Sequence, residues 1–273
     1  MENRFYHIDE KLALELIART KTEKAAQWGA WAEVHVFENH AVLGMKGMYY
    51  QDKHFFARDV VPYDIIISKL NRLAKKGVAV VPILGYCFRE TDGYIIMERA
   101  KGSELWAGAI RWDKERTLTF AKDLAEAPQK QFDKFVSDYK AILDMGLTVD
   151  WQNIENFFYD SSAGFQFIDV RTFSHAIRHE ENITLGCKQN MKAGEYLLPC
   201  LEKIQDGFAR TMSESEFNTL MKNNKIIFDK AKTAAIKSGA SAEMIDDALN
   251  SPHIKIAGVN ANLKYPDHKA MEA

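Results

Sequence analysis

With 273 residues and 47% hydrophobic content, the chain is long enough for one large domain or two lobes and apolar enough for a sizeable core, which excludes a predominantly disordered protein. Its 36 basic and 38 acidic residues leave a net charge of −2, so no global field argues for nucleic acid or an anionic membrane as partner. No apolar run approaches the roughly 18 residues of a membrane span, and the N-terminus MENRFYHIDEK is polar and has no secretory apolar region, which predicts a cytoplasmic protein without a membrane span.

Residues 9–25 read as an amphipathic helix, with Asp9 as N-cap and Leu12, Leu14, Leu16 and Ile17 on its apolar stripe. The period then changes to two. Residues 32–37 alternate, Glu38-Asn39-His40 turns, and 41–46 returns, the pattern of an antiparallel hairpin. Pro62 opens a helix over 62–76, with Ile65, Ile66, Leu70 and Leu73 on one side and Gly77 as its stop. The apolar segments 80–88 and 94–98, joined by a turn at Thr91-Asp92-Gly93, form a second hairpin that runs into a polar link. Two amphipathic helices follow at 113–127 and 129–145, divided by Pro128, and the second leads through Gly146 to Asp150. Phe157 and Phe158 begin a further hairpin, turned at Asp160-Ser161-Ser162-Ala163-Gly164 and returning through Phe165, Phe167, Ile168 and Val170. Helical patterns continue at 191–211, at 214–236, where Ser213 and Glu216 predict a capping box, and at 241–250, before a polar tail over 251–273.

Three cysteines, Cys87, Cys187 and Cys200, are odd in number and lack metal-ligand spacing, so they read as reduced core thiols. His175 and His179 stand at i, i+4 without a completing zinc ligand and read as surface residues. The stretch from Gly146 to Val170 carries more chemistry. Asn156 and Asp169 stand at opposite ends of the last hairpin and supply hard oxygen ligands, the donors Mg²⁺ takes alongside the phosphates of a nucleotide. Asp150, upstream of both, is placed in the chain to orient an incoming hydroxyl.

The order Asp150, Asn156, Asp169 resembles the catalytic loop and metal-binding aspartate of the protein-kinase-like phosphotransferases. Within that resemblance, Gly29 to Val34 looks like a glycine-rich loop reduced to one glycine, Gly29, and Val42 to Lys46 looks like the V-A-I-K strand, which makes Lys46 the catalytic, phosphate-binding lysine. The helix at 62–76 corresponds to the one whose glutamate pairs with that lysine; it has no glutamate, and Asp64 is the nearest equivalent, with Asp59 next. Residues 80–105 look like the last two N-lobe strands and the hinge, with Met97 in the gatekeeper place and backbone groups of Glu98 and Ala100 facing an adenine edge. The pattern also departs from the family. Thr148 and Val149 replace the His and Arg before the catalytic aspartate, the interval from Asp150 to Asn156 is one residue longer than the family's spacing, and Ile168-Asp169-Val170 stands for D-F-G.

The resemblance spans about residues 27–172 and implies an α+β, two-lobed protein-kinase-like fold: an N-terminal helical extension at 1–25, an antiparallel-sheet N-lobe at 26–100, a helical C-lobe at 101–250 and a tail at 251–273. It implies ATP and Mg²⁺ as cofactors. The partners it implies are a nucleotide, a regulatory protein, and a phosphate acceptor that is a protein Ser/Thr hydroxyl or, as in aminoglycoside- and choline-type kinases, a small molecule. So short a core is similar to the minimal kinases that some bacteria deliver into host cells. The alternative is a pseudokinase acting as a binding module, favoured by the eroded glycine loop and the missing helix glutamate and opposed by the retention of Lys46, Asp150, Asn156 and Asp169 together.

Overall fold

The period-two segments of the first hundred residues assemble into one six-stranded antiparallel sheet in the order β1-β5-β6-β4-β3-β2. Its strands are β1 (Glu2–Phe5), β2 (Gln27–Trp28), β3 (Glu33–Val36), β4 (His40–Lys46), β5 (Ile83–Phe88) and β6 (Asp92–Glu98). The computed structural model describes residues 2–28, 32–46, 63–89, 92–104, 114–149, 157–168, 170–172, 212–239 and 241. The chain falls into two units, Met1–Ala100 with Met145–Thr148 and Val170–Arg178, and Lys101–Asp144 with Val149–Asp169 and His179–Ala273.

In the first unit both expected hairpins form. β3 and β4 pair from Glu33↔Gly44 to Val36↔Ala41, β5 and β6 pair from Ile83↔Met97 to Phe88↔Gly93, and β4 joins the two hairpins by pairing with β6 from His40↔Glu98 to Lys46↔Asp92. Asp92 and Gly93 are strand residues rather than turn residues, because β6 follows β4 to its end. The N-terminal segment adds a strand that its polar sequence does not announce: β1 lies on the outer edge of β5, with Glu2 opposite Phe88 and Phe5 opposite Gly85. Helix α1 (Glu10–Arg19) starts as expected, the Asp9 carboxylate accepting the Leu12 N–H at 3.1 Å. It stops six residues short of the expected end. The Thr20 hydroxyl donates to the Ile17 carbonyl at 2.8 Å, and the KTEK that follows offers no apolar residue to continue the stripe. The buried face is Ala13, Leu16 and Ile17, the i, i+3, i+4 set, whereas Leu12 and Leu14 face outward. That face covers Val42, Tyr94 and Ile96 of the sheet. Cys87 lies in the same cluster as a free, fully buried thiol.

Helix α2 (Tyr63–Lys75) buries Ile67, Leu70 and Leu73, packs against β5, and is followed by Gly77 at φ 79°. The face is rotated from the expected one. Ile65 is 45% exposed, since spacing of three from Leu70 selects Ile67 and Leu73 instead.

The second unit is mainly helical. Its helices α3 (Lys114–Glu126), α4 (Gln129–Asp144) and α5 (Glu214–Lys237) occupy three of the expected segments, and Ser213 and Glu216 make the expected capping box, with Glu216 accepting the Ser213 N–H at 2.8 Å. α5 packs on α3 and α4. Lys230 on α5 donates to the carbonyls of Ala125 and Ala127 at 2.5 Å each, satisfying acceptors that α3 leaves open at its end. Against α4 lies the hairpin β9 (Phe157–Asp160) and β10 (Gly164–Phe167), extended by β7 (Ser103–Glu104) in the order β10-β9-β7. Rings make this contact: Phe135 lies 5.0 Å from both Phe165 and Phe167, and Phe132 lies 5.3 Å from Phe165. β10 ends at Phe167, two residues before the expected carboxylate. Val170 instead opens β11 (Val170–Thr172), a strand of the first unit, which pairs with β8 (Leu147–Val149).

These elements make an α+β protein with a small antiparallel sheet in one unit and a mainly helical second unit. No helix among the described residues is long and apolar enough to cross a membrane. The expected helices at 191–211 and 241–250, the 251–273 tail, Cys187, Cys200, His175 and His179 lie outside the described residues.

Two stability predictions follow from the second unit. Phe135 is 1% exposed at the centre of the ring cluster, so Phe135→Ala should cost about 3–5 kcal/mol in urea unfolding. In the β9–β10 turn the Asp160 carboxylate accepts the Ser162 hydroxyl and the Ala163 and Ser162 N–H groups, and these bonds hold its pKa below the ordinary value. A depressed folded pKa stabilises above the unfolded value of about 3.9 and loses that contribution as pH falls through the folded one. Asp160→Ala should therefore lower the unfolding midpoint at pH 7, and the gap to the wild type should close as pH drops below about 4; a gap independent of pH over that range would contradict the role of this turn.

Candidate functional site

The first half of the expected site lies on the sheet of the first unit. Lys46 is the last residue of β4, opposite Asp92 in register, and Asp64 is the second residue of α2. Met97 is half-buried in β6, opposite Ala41 on one side and Ile83 on the other. A pleated strand sends successive residues to opposite faces. In β4, Val42 and Gly44 belong to the series opposite Ile96 and Tyr94, the side covered by α1, and position 46 continues that series by backbone register. Ala41 and Leu43 belong to the other series, with Met97. Lys46 and Met97 thus fall in alternate series of the pleat rather than in one.

Beyond Met97 the chain leaves the sheet with most of its backbone committed. The Glu98 N–H donates to the Pro82 carbonyl at 3.1 Å and the Arg99 N–H to the Asn39 carbonyl at 3.1 Å. Ala100 makes no backbone hydrogen bond to another described residue. Of the two hinge positions expected to meet an adenine edge, Glu98 therefore has its N–H engaged within the first unit. In the second unit the chain is then clamped: the Gln166 side chain accepts the Lys101 N–H at 2.7 Å. Gly102, at φ 83°, passes so close to the Tyr159 carbonyl that a Cβ would collide with it. Only glycine satisfies both constraints.

The second half of the site is bracketed by short strands. Asp150, Asn156 and Asp169 lie outside the described residues, as does Gly29. Their chain neighbours are described. Asp150 follows the last residue of β8, Asn156 precedes the first residue of β9, and Asp169 precedes β11. β8 and β11 are hydrogen-bonded neighbours, and Leu147 and Val149 are fully buried. The segments entering at Asp150 and leaving at Asp169 are thus held in one ladder. The β9–β10 hairpin, which spans Asn156 to Asp169 along the chain, is fixed by its rings and by the Tyr159 hydroxyl donating to Gln131 at 3.2 Å. Burial, with the charges of Asp123 and Asp160 behind it, pushes the Tyr159 phenol up to about 12, so it stays a neutral donor.

Sequence reasoning missed the β8–β11 pair and the contacts of Gln166 and Gln131. A signal existed only for the first: Leu-Thr-Val after Gly146 alternates, but three residues give no period to measure. As for the metal expected at Asn156 and Asp169, an amide oxygen and a carboxylate are hard donors of the kind Mg²⁺ takes.

No protein-family model matches the chain, and no curated protein matches it. Among solved structures the chain is similar to WbdD, in a co-crystal with the kinase inhibitor LY294002, at 13% identity and a TM-score of 0.37. The match covers 86% of this chain and 50% of that one, so this chain spans half the length of the WbdD chain, and the likeness is distant.

Proposed function

We propose that the chain is an ATP- and Mg²⁺-dependent phosphotransferase acting on a hydroxyl, a protein Ser/Thr side chain before a small molecule of the aminoglycoside or choline type. The observation that carries this reading is the bracketing of Asp150, Asn156 and Asp169 by β8, the β9–β10 hairpin and β11, with β8 and β11 paired. Phosphoryl transfer asks a protein mostly for positioning and charge neutralisation. When bound, Mg²⁺ neutralises the charge of the phosphates and fixes their geometry. In this reading Asn156 and Asp169 hold the metal, Lys46 neutralises phosphate charge, and the backbone at Ala100 meets the base. Asp150 accepts a hydrogen bond from the acceptor hydroxyl and takes its proton as the new O–P bond forms and the bond from the γ-phosphorus to the ADP oxygen breaks.

The alternate-series position of Lys46 favours a second reading, in which the chain binds nucleotide without transferring phosphate or uses another cation, with Lys53 and Arg58 next in the sequence. Charge stabilisation of this kind is worth about 10²–10³ in rate. Lys46→Met should accordingly cut γ-phosphate transfer by that factor with an unchanged unfolding midpoint, and full activity in that variant would pass the role to another cation. Calorimetry with Mg²⁺-ATP separates the metal role: Asp169→Ala should bind at least about tenfold more weakly than wild type, and equal affinity would remove Asp169 from the site. Asp150→Asn should lower turnover while sparing ATP affinity. Asp144→Asn and Glu155→Gln serve as controls in the same transfer assay, and an unimpaired Asp150→Asn would overturn the assignment.

A further inference from the structure

The stripe of α2 opposite its buried Ile67, Leu70 and Leu73 runs through Ile65, Lys69, Arg72 and Lys75 to Lys76, the residue directly after the helix. Four of these are cations. The one acidic residue of α2 is Asp64, so no carboxylate stands three or four positions from any of them, and Arg72 has Lys69, Lys75 and Lys76 as its neighbours at that spacing. Like charges so placed repel and cost helix stability. The other described helices balance their charge: Arg19 at the end of α1 pairs with Glu23, Lys122 with Glu126 on α3, Lys134 with Asp138 on α4, and Lys237 of α5 with Asp133. Cations can serve a helix end by bonding its open carbonyls, but here the backbone has closed them. The Lys76 N–H donates to the Arg72 carbonyl at 3.2 Å, the Val78 N–H to the Leu73 carbonyl at 3.1 Å and the Gly77 N–H to the Ala74 carbonyl at 2.9 Å, in a turn that places Gly77 at φ 79°. One cation of the stripe is used within the first unit, the Lys69 ammonium donating to the Met145 carbonyl at 2.8 Å. Among the described residues Arg72, Lys75 and Lys76 have no carboxylate partner and no side-chain hydrogen bond, and all three are exposed. At the other end of the stripe Ile65 is 45% exposed.

We propose that this stripe is a docking surface for an acidic segment of another protein, Ile65 taking an apolar side chain and Arg72, Lys75 and Lys76 the carboxylates that follow it. From Ile65 to Lys76 the helix rises about 16 Å, a length that an extended chain covers in about five residues. Charge decides the class of partner. The whole chain carries −2 and has no long-range field to draw an extended polyanion such as nucleic acid or an anionic bilayer, whereas a short acidic segment needs only the local row of cations. The surface uses none of the residues given to the nucleotide. Fluorescence anisotropy of the full chain with a labelled peptide of one leucine followed by five glutamates tests it. The wild type should bind this peptide saturably, and about tenfold more weakly when sodium chloride rises from about 0.05 M to about 0.5 M. Combining Arg72→Gln, Lys75→Gln and Lys76→Gln keeps helix propensity and removes the charge, so affinity should fall about tenfold with the unfolding midpoint held. Ile65→Ser should lose about threefold to tenfold and keep the salt dependence. If the triple variant does not fold, Arg72→Gln alone, at the centre of the row, should lose about threefold. No saturable binding by the wild type up to about 1 mM peptide, or wild-type affinity in the glutamine or Ile65→Ser variants, overturns the proposal. So does equal binding of a peptide with lysines in place of the glutamates. A DNA duplex, or vesicles of phosphatidylcholine and phosphatidylserine in equal parts, that displaces the labelled peptide more strongly than the unlabelled peptide does overturns the assignment to a protein segment.

Discussion

The ladder between β4 and β6 is the constraint on which the first unit depends. It joins residues 40–46 to residues 92–98, and between them the chain must leave the sheet, form α2, run back along β5 and return. Val42 and Ile96 at its centre have no exposure, so their backbone N–H and C=O groups are tolerable only because each strand satisfies the other's. α1 has an apolar floor to cover only once those two strands are adjacent, and β5 and β3 then add on either side. In the second unit the comparable role falls to the ring cluster between α4 and the β9–β10 hairpin. There, burial of large apolar surfaces rather than a long ladder fixes the geometry.

Elements whose signal is local were legible in the sequence. The β3–β4 hairpin, α2, α4 and the Ser213 capping box each carry a period or a cap within their own residues. β1 was not, because Glu-Asn-Arg-Phe has no strand pattern and becomes a strand only through its partner. β8 and β11 were not, because three residues each, far apart in sequence, acquire their structure from one another. The limits of α1 and the faces of α1 and α2 were misread where a run of leucines or isoleucines offered more apolar residues than one stripe can hold.

The candidate site divides along the same line. The spacing of Asp150, Asn156 and Asp169 and the presence of a turn at Asp160 could be read directly. Which side of the sheet position 46 belongs to could not, because a shift of one residue in register exchanges the two faces, and register is set by the whole ladder. Long-range side-chain contacts to backbone, such as Gln166 to Lys101 and Lys69 to Met145, leave no periodic trace at all.

The outer edge of the sheet carries one more consequence. β5 is buried along nearly its whole length and is apolar, and a strand of that kind with one side unpaired is a template on which another chain can add itself. β1 occupies that side with four residues of mostly polar sequence, exchanging a long greasy rim for a short hydrophilic one. The opening residues thereby act as a stopper against the stacking of sheets, a protection provided by the chain itself before any partner or chaperone is involved.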